Sequence, residues 1–260
     1  GLMTPATLDD ALRRGAGRGI KAVFPGHMGG HSADMPALRK ITGRDELAVV
    51  EDACHALGGE QAGKSGGKVP VGACVHSEMT AFSFHPVKLI AMGEGGAVTT
   101  GDPKFAEKLR RYRSHGMVRD PGLFEFAEAA FDSDGRPNPW YYEMPEPGFN
   151  YRASDIHCAL GSSQLSKFDR FIESRIRLAS RYDELLAGMG SVIRPVARDG
   201  SLRSGWHLYV VLIDFKALGL SRAKLMRELA ADGIGTQVHY YPVCHQPYYR
   251  RRYGTQTMPG

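Results

Sequence analysis

The chain has 260 residues, of which 42% are hydrophobic and 23% are charged, and its formal net charge is +5. This is an ordinary globular composition, with room for one large domain or two small ones. No apolar run reaches the ~18 residues that a membrane span needs. The 4 cysteines show no CxxC or paired spacing, so neither a metal site nor a disulfide framework is predicted, and a reducing cytoplasm fits.

The mildly basic charge suits an anionic ligand such as a nucleotide or a phosphate, without pointing to nucleic acid. The densest basic run is Arg250-Arg251-Arg252, which is better explained as a solvated face than as a nucleic-acid contact.

In the first half of the chain, predicted helices alternate with predicted strands. The helices are expected at residues 6–14, 35–42 and 103–113, and the strands at residues 21–25, 47–50, 79–84 and 96–100. This alternation predicts an α/β domain with a mostly parallel sheet, whose ligands bind beyond the carboxyl ends of the strands. Four polar side chains fall at or just past such ends: Asp52, His55, Ser83 and Lys88.

The second half is predicted to hold a long helix and a smaller domain. Residues 119–149 form a long irregular segment with Trp140-Tyr141-Tyr142 in its middle, whose aromatic content favours an ordered, functional loop. Ser154 is expected to cap one long helix that links two domains. Its apolar stripe, expected to pack in the core, comprises Ile156, Leu160, Leu165, Phe168, Ile172, Ala179, Tyr182 and Leu186.

A small α+β domain is expected after that helix. Its strands are predicted at residues 192–196, 207–213 and 236–241, and its helix at residues 221–232. The predicted division is therefore a large α/β domain at 1–153, a linking helix at 154–190 and a small domain at 191–260.

The run from Gly58 to Ser65 matches the phosphate-binding pattern GxxxxGK[ST] letter for letter. That loop needs a strand running into its first glycine and a helix opening at its Lys-Ser pair. Here the strand at 47–50 ends well before Gly58, and Gly66 and Gly67 follow Ser65. A glycine-rich hairpin is therefore predicted, and an NTPase is rejected.

The stretch around Lys88 gives the main chemical signal. Its neighbours Val87, Leu89 and Ile90 are apolar, and apolar surroundings disfavour a charged ammonium group. A lysine in such a setting can be a nucleophilic amine that forms a Schiff base. The alternative is a surface lysine at a strand end, so the interpretation depends on the other residues at the strand ends.

Those residues together fit the chemistry of pyridoxal phosphate. This cofactor needs an amine to carry it, a carboxylate against its ring nitrogen and hydrogen-bond donors for its phosphate. Lys88 supplies the amine and Asp52 the carboxylate. Ser83 could donate to the phosphate, and His55 could reach the ring face or the phenolic oxygen.

Seven runs resemble the DegT/DnrJ/StrS sugar-nucleotide aminotransferase family, and four of them more narrowly resemble its branch that aminates C4 in pseudaminic acid synthesis. The runs lie at residues 50–56, 82–88, 93–97, 113–116, 139–143, 148–152 and 238–243. The resemblance implies the fold type I architecture of pyridoxal phosphate-dependent aspartate aminotransferase, with a partial large domain and a small α+β C-terminal domain. It also implies a homodimer with shared active sites.

The resemblance implies a role for each matching residue. Lys88 would be the Schiff-base lysine, Asp52 would pair with the pyridine nitrogen, and Ser83 would bind the phosphate. His55 stands where the family has Gln or His near the ring, and Asn150 would reach the phosphate of the partner subunit's cofactor. The residues expected near the substrate are His85, Tyr151, Arg152, His239 and Tyr240.

The implied reaction is transamination of a 4-keto UDP-sugar, with L-glutamate as amino donor and Lys88 as general base. The basic charge suits the diphosphate of such a substrate. Some family members carry His in place of this lysine and dehydrate their substrate instead, and Lys88 argues against that branch.

Compared with members of the family it resembles, the chain is expected to start late and end early. The implied segment before Thr4 would supply a helix N-terminus for the cofactor phosphate and an aromatic side chain for its ring. A fragment or a divergent short form is therefore expected. The alternative function is a catalytically inactive homologue that acts only as a dimerisation or binding module.

Overall fold

The computed structural model describes residues 1–15 and 19–255, which form two compact units. The first unit contains Gly1–Leu185 together with Pro195–Val210. The second contains Leu186–Arg194 and the described residues from Val211 on. Residues 195–210 thus lie with the first unit, whereas the sequence assigned them to the C-terminal domain.

The strands of the described residues form one sheet of four strands and two small sheets. They are β1 (Ala22–Val23), β2 (Ala48–Asp52), β3 (Glu60–Ala62), β4 (Lys68–Pro70), β5 (Met79–Ser83), β6 (Gly96–Thr99), β7 (Ile193–Pro195) and β8 (Val211–Ile213). The main sheet has the order β1-β2-β5-β6, in which the first three strands are parallel and β6 is antiparallel. The predicted α/β class with a mostly parallel sheet is confirmed.

Strands β3 and β4 pair antiparallel as a separate hairpin, and β7 pairs with β8. The hairpin occupies the run that matched a phosphate-binding loop. Gln61 pairs with Val69, and the turn closes through a hydrogen bond from the Gly63 N–H to the Gly67 carbonyl. No helix opens at Lys64, and the predicted glycine-rich hairpin is confirmed.

Most of the helices begin at side-chain caps. They are α1 (Pro5–Arg14), α2 (Met35–Thr42), α3 (Pro103–Arg113), α4 (Ala127–Ala130), α5 (Asp155–Leu165), α6 (Phe168–Leu186), α7 (Phe215–Leu218), α8 (Arg222–Ala231) and α9 (Pro247–Tyr253). Asp102 accepts the Lys104 N–H at 2.8 Å, and Pro103 occupies the first turn, where its missing N–H costs nothing. Gly15 closes α1, whereas Gly17 lies outside the described residues.

Helices α1 and α2 cover the β1 and β2 end of the sheet. Leu8 of α1, Met35 and Leu38 of α2 and Val49 of β2 share one buried cluster, in which Met35, Leu38 and Val49 have no exposed surface. Each buried side chain of this size contributes about 1.5–3 kcal/mol relative to an exposed one. This packing fixes β2, whose last residue is Asp52.

The expected single helix from Ser154 is wrong, because it is interrupted between Leu165 and Phe168 and forms two helices, α5 and α6. Ser154 does cap the first part, since its hydroxyl accepts the His157 N–H at 3.3 Å. The expected burial of the stripe is also wrong. Only Ile172 and Ala179 are buried, and α5 has no buried residue; Ile156 is 81% exposed. Helical spacing creates an apolar face, but burial needs a surface that covers it.

The expected strand at residues 236–241 is wrong as well. That segment has no strand structure, and β8 covers only Val211–Ile213 of the expected 207–213. Alternating residues give strand propensity, but a strand forms only where a neighbour completes its hydrogen-bond ladder. In the described chain β7 and β8 pair only with each other.

The irregular segment at 119–149 is held around one carboxylate. Glu143 is 7% exposed, and it accepts the backbone N–H groups of Glu125 and Phe126 at 2.7 and 2.8 Å. The Tyr141 hydroxyl donates to the same carboxylate at 2.8 Å. These bonds order the aromatic segment, as its composition predicted.

Candidate active site

The polar residues at the ends of two adjacent parallel strands lie at one edge of the main sheet. Asp52 ends β2 and Ser83 ends β5, and Asp52 pairs in register with Ala81. Parallel strands bring their carboxyl ends to the same edge, which explains why residues far apart in sequence meet here.

Neighbouring residues of β2 point to opposite faces, as in any strand. Glu51 is fully buried, whereas Asp52 is exposed at the sheet edge. Burial by itself would raise the pKa of the Asp52 carboxyl, but hydrogen bonds from Cys54 lower it below its usual value. Asp52 therefore presents a negative charge at the edge at neutral pH.

Lys88 lies in a turn that follows β5. Its N–H donates to the His85 carbonyl at 2.9 Å, and its side chain is half-buried. Leu89 and Ile90 are 8% and 3% exposed, whereas Val87 is 60% exposed. The apolar setting expected around Lys88 is therefore one-sided.

Three of the predicted site residues line one pocket. Lys88, His55 and Ser83 share it, together with Cys54, Leu57, Leu89 and His207. The His55 Nδ1 accepts the Gly29 N–H at 3.4 Å, and the Ser83 hydroxyl accepts the His85 N–H at 3.4 Å. An amine, a hydroxyl and two imidazoles thus share one pocket. Asp52 is not among its lining residues, and it is joined to the pocket wall by the hydrogen bond from the Cys54 N–H.

The glycine-rich turn after Lys88 closes back on β5. The Phe84 N–H donates to the Gly95 carbonyl and the Met92 N–H to the Phe84 carbonyl, both at 2.9 Å. Gly96 pairs with Ser83, and a Cβ at Gly96 would lie 2.4 Å from the Phe82 carbonyl oxygen. Only glycine fits there, so this residue lets β6 begin directly beside Ser83.

Cys54 was not predicted from the sequence, although it binds Asp52 and lines the pocket with Lys88. The Cys54 thiol forms a hydrogen bond with the Asp52 carboxylate, and the Cys54 N–H donates to the Asp52 Oδ1 at 3.1 Å. Burial and then the Asp52 carboxylate raise the pKa of the Cys54 thiol to about 11, while Lys88 acts in the opposite direction. Its position two residues after Asp52 was the available signal. His207 was also missed, and nothing in its local sequence marks it.

Several predicted residues lie outside this pocket. His85 is exposed, with its Nε2 3.9 Å from Glu94 Oε1. Asn150, Tyr151 and Arg152 are exposed in an extended segment that pairs at Asn150 with Ser114 at the end of α3. Two further residues, His239 and Tyr240, belong to the second unit.

Two kinds of feature are absent from the described residues, 1–15 and 19–255. No group of three or more His, Cys, Asp or Glu side chains in these ranges is placed to hold a metal ion. No helix in the same ranges is both long and apolar enough to cross a membrane.

A family model matches almost the whole chain. The model describes the DegT/DnrJ/EryC1/StrS aminotransferase family, and it matches residues 1–259. The chain is 35% identical over 235 residues to the spore coat polysaccharide biosynthesis protein SpsC of Bacillus subtilis. The aligned region covers 90% of the chain and 56% of SpsC. The chain thus spans about half the length of the curated relatives it matches.

Solved structures show the same fold. PseC of Helicobacter pylori, an aminotransferase in pseudaminic acid biosynthesis, matches with a TM-score of 0.81 and 26% identity, over 99% of the chain and 61% of PseC. The sugar aminotransferase Spr1654 of Streptococcus pneumoniae, in its pyridoxamine phosphate form, matches with a TM-score of 0.77 and 25% identity, over 96% of the chain and 62% of Spr1654.

Proposed function

Because the chain belongs to the DegT/DnrJ/EryC1/StrS aminotransferase family, we propose that it contributes the pyridoxal phosphate site of an enzyme that transaminates a sugar nucleotide. The family's cofactor is pyridoxal phosphate. The observation that carries the proposal is the pocket that Lys88, Ser83 and His55 line together with Cys54, whose N–H binds the Asp52 carboxylate.

The chemistry of this donor set fits the cofactor. Lys88 would hold pyridoxal phosphate through its amine, and Ser83 would donate to the phosphate. The ionised Asp52 would pair with the ring nitrogen, and His55 would lie against the ring. When bound, the cofactor withdraws electrons from the carbon that loses or gains a proton.

The residues of the chain divide the remaining tasks. The Lys88 amine is the base that moves a proton at the reacting carbon, which is the usual work of a positioned basic side chain. Asp52 keeps a negative charge at the pocket edge, because the bonds from Cys54 stabilise its ionised form. Leu57 and Leu89 form the apolar part of the pocket wall.

The proposed substrate is a 4-keto-6-deoxy UDP-sugar, and the proposed amino donor is L-glutamate. PseC, to which the chain is similar, serves pseudaminic acid biosynthesis, and the net charge of +5 suits a diphosphate. We further propose a cytoplasmic homodimer. In it, the exposed Asn150 would reach the cofactor phosphate of the partner subunit, and Tyr151 and Arg152 would lie near the substrate.

The first experiment titrates the 260-residue chain with pyridoxal phosphate and records visible absorption. The wild-type chain should develop the band of lysine-bound cofactor, and Lys88→Ala should not. Lys64→Ala is the matched control, because Lys64 is exposed in the β3–β4 hairpin and should leave the band intact. A wild-type chain without the band, or Lys88→Ala with the same band, contradicts the proposal.

The second experiment separates the enzyme from an inactive binding module. The cofactor-loaded chain is mixed with L-glutamate and a panel of UDP- and dTDP-ketosugars, and amino-sugar products are measured by mass spectrometry. Amination of a 4-keto UDP-sugar that depends on Lys88 supports the proposal. Cofactor binding without any product would favour the module.

A further inference from the structure

His207 lies in the wall of the Lys88 pocket, although it is distant from Lys88 in sequence. Its ring centroid is 4.3 Å from that of His55, and the two ring planes are tilted by 46°. Imidazole rings at this distance are in direct contact. His55 thus has a second imidazole beside its ring.

The segment that carries His207 is fixed from the side of helix α6. The Arg175 guanidinium donates from one nitrogen to the carbonyl of Trp206 at 2.9 Å and to that of His207 at 3.1 Å. A guanidinium holds its donors in a rigid plane, so two neighbouring carbonyls bound to it have little freedom. The backbone of His207 is therefore anchored independently of its ring.

The same segment is joined to the loop that contacts the edge of His55. The Gly205 N–H donates to the Gly30 carbonyl at 2.9 Å, and the Leu208 N–H donates to the Gly29 carbonyl at 3.2 Å. A Cβ at Gly30 would lie 2.4 Å from the Trp206 nitrogen, so the two backbones are as close as glycine permits.

These two joined segments hold His55 on two sides. Gly29 donates its N–H to the His55 Nδ1 at 3.4 Å, and His207 packs its ring against the imidazole. Since Nδ1 accepts a bond, the neutral ring carries its proton on Nε2. The hydrogen bond from Gly29 holds one edge of the His55 ring, and the contact with His207 holds its face.

We propose that His207 is a positioning residue of the cofactor site, whose ring sets the plane of the His55 imidazole and thereby the way His55 meets the ring of pyridoxal phosphate. The part that concerns the cofactor rests on the proposed function. The His55–His207 contact itself is a property of the chain alone.

The first test compares ring-retaining and ring-removing substitutions. His207→Phe keeps a flat ring without nitrogens, whereas His207→Ala and His207→Leu remove the ring, and Leu also fills the space. An aromatic pair is worth about 0.5–1.5 kcal/mol beyond burial, which corresponds to a roughly two- to tenfold change in binding. The cofactor dissociation constant should rise by that factor for Ala and Leu, and should equal the wild-type value for Phe.

The second measurement needs no cofactor. In the wild-type chain, the NMR signals of the His55 ring protons and of the Gly29 amide report the bond to Nδ1. Both should shift in His207→Ala and His207→Leu and remain close to wild type in His207→Phe. The control is His76→Ala, since His76 is buried outside the pocket with its Nε2 2.9 Å from the Ala62 carbonyl.

Thermal unfolding of each variant shows whether it is folded, and Leu replaces Ala in the comparison if Ala does not fold. A folded ring-less variant with wild-type Gly29 and His55 signals and wild-type cofactor affinity overturns the inference. The inference is also overturned if His207→Phe weakens cofactor binding as much as His207→Leu does, because the ring nitrogens rather than the ring would then matter. If the wild-type chain binds no cofactor, the proposed function fails, while the NMR comparison still decides the contact.

Discussion

The Nε2 atom of His27 lies 2.7 Å from the Oε2 atom of Glu51, and neither side chain is exposed to solvent. The Ala33 N–H donates to the other ring nitrogen of His27 at 3.1 Å, so the proton of the neutral ring lies on Nε2 and is donated to Glu51. The hydroxyl groups of Ser77 and Thr80 donate to Glu51 Oε1. One buried carboxylate thus ties β2 to β5 and to the loop before α2, next to Asp52.

The first prediction concerns the stability that Glu51 supplies. Burial alone would raise the pKa of Glu51, but the bonds from His27, Ser77 and Thr80 hold it below the ordinary 4.5. A lowered pKa means that the stabilisation is complete above about pH 4.5 and is lost as the pH falls through the folded pKa. Glu51→Gln should therefore lower the free energy of unfolding at pH 7 by about 1–2 kcal/mol, and this difference should shrink below pH 4.5.

Denaturant unfolding at several pH values measures this effect. Glu78→Gln is the matched control, because Glu78 pairs with Arg39 at 2.8 Å in a partly exposed ion pair, where solvent screens the charge. Glu78→Gln should lower the free energy of unfolding by less than Glu51→Gln does. Identical pH slopes for the wild-type chain and Glu51→Gln would contradict the role of the buried carboxylate.

The second prediction concerns the charge of Asp52. Asp52→Asn keeps the oxygen that accepts the Cys54 N–H but removes the negative charge at the pocket edge. The rate of transamination should fall by on the order of 100-fold, since removing one preorganised electrostatic group from an active site slows the reaction by about that factor. The visible band of bound cofactor should persist.

Single-turnover kinetics with L-glutamate measures the rate in Asp52→Asn. Asp102→Asn serves as the control, because Asp102 only caps α3 and asparagine caps a helix about as well. An Asp52→Asn rate equal to that of the control would remove Asp52 from the mechanism.

The third prediction concerns the reactivity of two cysteines. The pKa of about 11 keeps the Cys54 thiol protonated at pH 8, and only the thiolate reacts with alkylating reagents. Iodoacetamide should therefore label the exposed Cys158 well before Cys54. Asp52→Asn should speed the labelling of Cys54, because the carboxylate that raises its pKa is gone. Peptide mass spectrometry follows both rates, and equal labelling of Cys54 with and without Asp52 would contradict the prediction.

The fourth prediction compares two glycines with positive φ. Gly30 has a φ of 108° and no space for a Cβ beside Trp206, whereas Gly66 has a φ of 83° and open space. Gly66→Ala should cost about 1 kcal/mol, from backbone strain alone. Gly30→Ala should cost about 3 kcal/mol, because steric overlap adds to the strain. Thermal unfolding gives both values, and equal costs would show that residues 29–30 and 205–208 are not closely joined.

Much of the local structure could be predicted from short-range signals. Asp102 followed by Pro103 fixed the start of α3, and Ser154 marked the start of α5, because a cap is a contact between residues two or three apart. The chemical grouping of Asp52, Ser83 and Lys88 followed from the strand ends. The wrong predictions for the helix that starts at Ser154 share one cause. The break after Leu165 and the exposure of Ile156 depend on what packs against a helix, which periodicity does not show.

The family, the pocket lysine and the residues that follow strands β2 and β5 could be predicted from the sequence alone, because motifs and periodicity are carried by neighbouring residues. Only the tertiary structure placed His207 against His55, joined residues 205–208 to Gly29 and Gly30, and buried Glu51 with His27. These contacts join residues far apart in the chain. Their geometry depends on backbone approach and burial, which no local pattern of residues encodes.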